Sequence, residues 1–171
     1  MIPVRSPRRG LILGLAIALG SASGLGLLVG YFYLLAYGSE GACEETGAQE
    51  RTAQVSAATP AAAAGTTPVA DRTMTECMDD SGDPWITANS LYTHGGDVRP
   101  LFTHYWDTAA ADGWKAVGTR AGAADRFRSG SGMCFRKDVA GEPALLRVSS
   151  TKREELFVSV EAALDGSAMP C

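Results

Sequence analysis

Apolar and polar positions divide the chain into three unlike stretches. From Leu11 to Tyr37 no residue is charged over 27 positions. As a helix such a run is about 40 Å long, against a bilayer hydrocarbon core of about 30 Å. The pattern predicts one tilted membrane-spanning helix at residues 11–37. Residues 38–72 hold Ala, Thr, Gly, Glu and Gln with Pro60, Pro68 and an alanine run at 61–64, and almost no large apolar side chain. Such a stretch buries no core of its own and reads as a disordered linker, with a short helix near Glu44–Val55 marginal alone. From residue 73 onward apolar residues recur at helical and strand spacings, and all three tryptophans lie there.

The clearest element of that last stretch is a helix from Val98 to Asp112. Val98, Leu101, Phe102, Tyr105 and Ala109 form one apolar face. Gly95-Gly96 precedes it, Asp97 is a good N-cap, Pro100 falls in the first turn and Gly113 suits the C′ position. Strands are expected at Trp85–Tyr92, Trp114–Val117, Met133–Val139, Ala144–Ser150 and Leu156–Ala162, with Ala140-Gly141-Glu142-Pro143 as a hairpin turn. Along the last strand Leu156, Val158, Val160 and Ala162 share one face and Phe157 lies on the other. Residues 118–132, rich in Gly, Ala, Ser and Arg, read as a long exposed loop. The expected fold class is α+β: a two-layer domain at residues 73–171 with a mainly antiparallel sheet and one packed helix.

Charge orients the whole. Residues 1–10 carry Arg5, Arg8 and Arg9 and no acid, whereas Glu40, Glu44 and Glu45 follow the span. The positive-inside rule places residues 1–10 in the cytoplasm as a basic tail and the carboxyl-terminal domain outside. Tyr31, Phe32, Tyr33 and Tyr37 suit an outer aromatic belt. Gly20/Gly24, Ala22/Gly26 and Gly26/Gly30 offer a small-residue face for a homodimer through the Gly-rich span. Three rival readings of the amino terminus remain: a cleaved signal peptide ending at Ala22, a lipoprotein acylated at Cys43, and twin-arginine export from Arg8-Arg9. The net charge of −4 argues against a nucleic-acid partner.

Cys43, Cys77, Cys134 and Cys171 all fall on the expected outer side. An even number in an oxidising compartment reads as two disulfides, with three connectivities open. If Phe135 faces the helix, Cys134 faces away, where it could meet the incoming chain or the tail. There is no C-x-x-C pair, so no metal site is expected. No cofactor motif is present either.

Three features carry candidate chemistry. His94 beside Asp97 or Asp107 could form a catalytic pair; His104 lies off the apolar helix face and reads as solvated. Asp79-Asp80-Ser81-Gly82-Asp83 is an acidic turn without the EF-hand layout. Arg120, Arg126 and Arg128, with Phe127 among them, give residues 118–132 a local positive charge that could bind a ligand or partner.

Alanine and glycine are abundant and arginine outnumbers lysine 12 to 3. Together with Glu76-Cys77-Met78-Asp79-Asp80, Pro84-Trp85, Ala111-Asp112-Gly113-Trp114, Met133-Cys134-Phe135 and Cys171, this layout resembles uncharacterised actinobacterial single-pass membrane proteins with a small disulfide-bonded extracytoplasmic domain. The resemblance implies an envelope protein and carries over no functional residue. The expectation is therefore a non-enzymatic protein of the cell membrane. The span would sit in the lipid bilayer, and the outer domain would bind another envelope protein or a wall component. The alternatives are a small extracytoplasmic enzyme using His94 and nearby acids, or a secreted or lipid-anchored domain.

Overall fold

A computed structural model describes residues 41–44, 46–79, 83–151 and 154–171. The expected tail at 1–10 and span at 11–37 lie outside the described residues. So do Asp80, Ser81 and Gly82 of the acidic turn. Among the described residues no helix is long and apolar enough to cross a membrane.

One folded unit runs from Ala42 to Cys171. It begins with a single 3-10 turn, Ala42–Glu44, and helix α1, Thr46–Ala57. Strands β1 (Thr66–Met78) and β2 (Trp85–His94) follow. Next come α2 (Arg99–Ala111), β3 (Lys115–Ala116) and α3 (Arg120–Ser129). Strands β4 (Met133–Val139), β5 (Glu142–Ser150) and β6 (Glu155–Ala163) complete it. The sheet has six strands in the order β1-β2-β6-β5-β4-β3, and every neighbouring pair is antiparallel. The chain leaves β2 through α2, reaches the far edge at β3, and returns by the β4-β5-β6 meander to pair β6 with β2.

The α+β class and the antiparallel sheet stand as expected. Two boundaries are corrected. Residues 42–72 are part of the folded unit and not a disordered linker, because they supply α1 and the first half of β1. Residues 120–129 form a helix, not a loop. The sheet is therefore covered by three helices rather than one.

Strand parity explains the layering. Ile86 and Ala88 stand opposite Ala162 and Val160, and Val160 and Val158 stand opposite Leu146 and Val148. Phe135 and Met133 continue the rows across β4. These side chains share one face and are all 3% exposed or less. Leu101, Phe102, Tyr105 and Ala109 of α2, Ala123 and Phe127 of α3, and Val55 of α1 belong to the same core. Burying each large side chain stabilises by roughly 1.5–3 kcal/mol.

Helix α2 starts one residue later than expected: Val98, not Asp97, is its N-cap, with no side-chain cap. The Asp97 carboxylate accepts the Arg99 N–H at 3.0 Å, and that bond holds its pKa below the usual range. At the other end Gly113 (φ +83°) lets Trp114 donate back to the Ala109 carbonyl at 2.9 Å, closing a Schellman motif. Helix α3 starts where the Thr119 hydroxyl accepts the Gly122 N–H at 3.2 Å. Gly132 (φ +80°) lies so close to β5 that a Cβ there would meet the Val148 carbonyl at 2.8 Å.

Both pairs of cysteines are bonded: Cys43 to Cys77, and Cys134 to Cys171. The first ties the start of the folded unit to β1. The second fastens the carboxyl-terminal tail across the sheet.

Candidate functional site

With three helices on one face, the opposite face of the sheet carries no helix among the described residues. Its residues follow from the alternation: Thr87, Asn89 and Leu91 on β2, Phe157, Ser159 and Glu161 on β6, and Arg147 and Ser149 on β5. The register sets Asn89 opposite Ser159, Thr87 opposite Glu161 and Leu91 opposite Phe157. Arg147 stands opposite Ser159 from the other side.

Side-chain hydrogen bonds order the polar part of this face. The Thr87 hydroxyl donates to Asn89 Oδ1 at 2.9 Å, and the Ser159 hydroxyl donates to Glu161 Oε1 at 3.0 Å. Arg147 Nη2 reaches Glu161 Oε2 at 3.5 Å and donates to the Pro170 carbonyl at 2.8 Å. Arg147 Nε is shielded from solvent and has no hydrogen-bond partner among the described residues. Leu91, Phe157 and Trp85 are half-buried beside this network. The Cys134–Cys171 bond and the Arg147–Pro170 contact hold the tail over the β4–β5 side, where Leu145 is 1% exposed. The remaining strip over β2 and β6 is itself largely shielded: Thr87 and Ser159 are 5% and 0% exposed, and Asn89, Leu91, Phe157 and Glu161 are half-buried. It has donors, acceptors and apolar side chains at cross-strand spacing, about 4.5–5.5 Å. Its one hydroxyl–carboxylate pair among the described residues, Ser159 with Glu161, has a fully buried serine.

A cleft of about 410 Å³ lies at the end of the sheet, bordered by Ala48, Arg51, Pro84, Glu142, Leu164 and Asp165 among others. The Arg51 guanidinium donates to the Val139 and Pro143 carbonyls. Burial pushes its pKa down, and the Glu142 charge acts the other way. The Asp165 carboxylate accepts the Ser167 N–H at 2.8 Å, which holds it below the usual carboxylate range. Arg51 and Asp165 are thus engaged within the protein.

The residues singled out from the sequence fall as follows. Arg120, Arg126 and Arg128 all lie on α3, exposed, and each has an internal partner. Arg120 pairs with Asp107 at 2.8 Å and lies over the Phe102 and Trp106 rings. Arg126 donates to the Val117 carbonyl at 3.3 Å, and Arg128 pairs with Asp125. Phe127 turns the opposite way, is 1% exposed, and packs against Phe102 at 5.9 Å between ring centroids.

His94 is 7% exposed, and its Nε2 lies 3.2 Å from the Ser150 hydroxyl. Its Nδ1 has no partner among the described residues. The acids considered with it are held elsewhere, Asp97 by Arg99 and Asp107 by Arg120. His104 is half-buried rather than solvated, with Nε2 3.2 Å from the Ala61 carbonyl oxygen and its ring edge-on to Tyr105. Among the described residues no group of His, Cys, Asp and Glu could hold a metal ion.

Sequence reasoning placed Phe157 off the core face but did not assemble the strip around it. Comparison with protein-family models, with curated proteins and with solved structures gave no match.

Proposed function

We propose that the chain is a membrane-anchored envelope protein whose outer domain is a binding module, with another envelope protein as its partner. The uncharged stretch at 11–37 and the arginines before it support the anchor. Two disulfides support an oxidising compartment. The observation that supports the binding role is the strip over β2 and β6, where half-buried Leu91 and Phe157 stand opposite each other beside an ordered polar network whose Thr87 and Ser159 are buried. A face meant only for water would not need two large apolar side chains directly opposite each other. His94 lies against Ser150 beneath the helical layer, which favours binding over catalysis.

The test places a photo-crosslinking residue at Leu91, and separately at exposed Ala121 on α3, in the full chain in its own membrane. The reading expects one discrete protein adduct from Leu91, weakened by Phe157→Glu and absent from Ala121. Equal labelling from both positions, or a glycan adduct alone from Leu91, contradicts it.

A further inference from the structure

The two edges of the sheet are unlike. One edge is β3, only two residues long. The other is β1, thirteen residues long and, among the described residues, paired on one side only, with β2. A long open edge offers unpaired N–H and C=O groups to any extended strand, and proteins usually guard it. The first half of β1 is guarded. Pro68 removes a donor, the register with β2 breaks between Pro68 and Thr73, and Asp71 takes a left-handed φ of +61°. The second half has no such device. From Thr73 to Met78 it pairs regularly with β2, and residues 72–76 are all exposed. At their centre stands Met74, the exposed large apolar residue of the described chain, at 43%.

From Arg72, the last residue of the irregular stretch, the sequence runs Arg72-Thr73-Met74-Thr75-Glu76. Read backwards it keeps its pattern and exchanges the charges. We infer that β1 pairs antiparallel with β1 of a second copy of this chain, about a two-fold axis at Met74, with Arg72 facing Glu76 twice. In that register Thr73 faces Thr75 and Met74 faces Met74. Opposite charges, paired threonines and paired apolar side chains are all favourable cross-strand neighbours. The register places Met74 and Glu76 on the face of Asn89 and Thr87, and Thr73 and Thr75 on the other. Arg72 precedes the first regular pair and joins the Met74 side when β1 extends against its copy.

Register alternatives are worse. Facing residues in an antiparallel pair must share a face, so the axis can sit only on a residue. Centred on Thr73 it sets Met74 against Arg72, and centred on Thr75 it sets Met74 against Glu76. Neither pairs the charges. The contact is isologous and closes as a dimer, so it uses up the open edges and leads to no fibre. It engages the edge and leaves the strip over β2 and β6 free, so it does not depend on the binding role proposed above.

The test uses the full chain in detergent micelles, with mass measured against concentration. Wild type is expected to dimerise. Arg72→Glu and Glu76→Arg each set like charges opposite one another on both sides of the axis, so each weakens association by about tenfold or more. The double variant Arg72→Glu/Glu76→Arg restores it. A wild type that stays monomeric overturns the inference. So does a dimer that both single variants leave unchanged, the result expected if the copies meet elsewhere, or a double variant as weak as the singles.

Discussion

The phenol oxygen of Tyr105 accepts the backbone N–H of Ala63 at 3.3 Å. Both residues are buried, Tyr105 completely. One bond thus ties the connector between α1 and β1 to the middle of α2. Without it a backbone donor is left unpaired in the core, so Tyr105→Phe should cost about 1–3 kcal/mol in denaturant unfolding.

The same residue gives the domain an alkaline limit. Burial is the largest influence on Tyr105 and raises its pKa to about 12, with nearby Tyr92 adding and the Ala63 N–H opposing. In the unfolded chain the phenol titrates near about 10. The folded state therefore favours the neutral form. Its contribution is full below about pH 10 and is lost as pH rises toward about 12, amounting to up to roughly 2–3 kcal/mol. Unfolding measured across that range should show wild type losing this component and Tyr105→Phe lacking it.

Arg51 holds the β4–β5 turn to α1. It is 7% exposed and donates to carbonyls on either side of that turn, those of Val139 and Pro143. Arg51→Ala leaves both acceptors without their charged donor and should cost about 2–3 kcal/mol. Arg51→Lys should recover only part, because an ammonium lacks the planar fork. Chemical denaturation of the three proteins checks the order.

Residues Arg120 and Phe127 should separate sharply by calorimetry. Phe127 is 1% exposed in the core, so Phe127→Ala should cost about 3–5 kcal/mol. Arg120 makes an exposed ion pair and cation–π contacts, so Arg120→Ala should cost about 1 kcal/mol or less. Comparable losses would mean that α3 is not packed as described.

The β4–β5 hairpin turns on Ala140 and Gly141, both at positive φ, +52° and +91°. Val139 and Glu142 pair across this two-residue loop. That geometry is a type I′ turn, which favours Asn-Gly. Ala140→Asn should raise the thermal midpoint, by about 0.5–1 kcal/mol of stability. A lowered midpoint would count against the turn assignment.

Much of the sheet and α2 could be read from the sequence because those elements bury one regular face. Helix α2 had five apolar positions at helical spacing and both end signals, and β6 alternated cleanly. The elements that escaped bury little. Strand β1 lies at the edge, mostly exposed, so no alternation marks it. Helix α1 buries Ala48, Arg51 and Val55, a stripe whose middle member is charged. Helix α3 buries only Ala123 and Phe127, and its remaining signals were the Thr119 cap and the glycine at 130. The strip over β2 and β6 was half legible. Parity put Phe157 off the core face, but only the strand order reveals that Leu91 stands opposite it.

The proposed protein is an anchored chain whose outer domain is closed by two disulfides. The most direct test is the intact mass of the protein from its own membrane fraction after free thiols are blocked. The full-length mass with no thiol adduct is predicted. A mass beginning at Ser23 would contradict the anchor. A lipid on Cys43 with one blocked thiol would contradict both the anchor and the Cys43–Cys77 bond, since that sulfur cannot hold both.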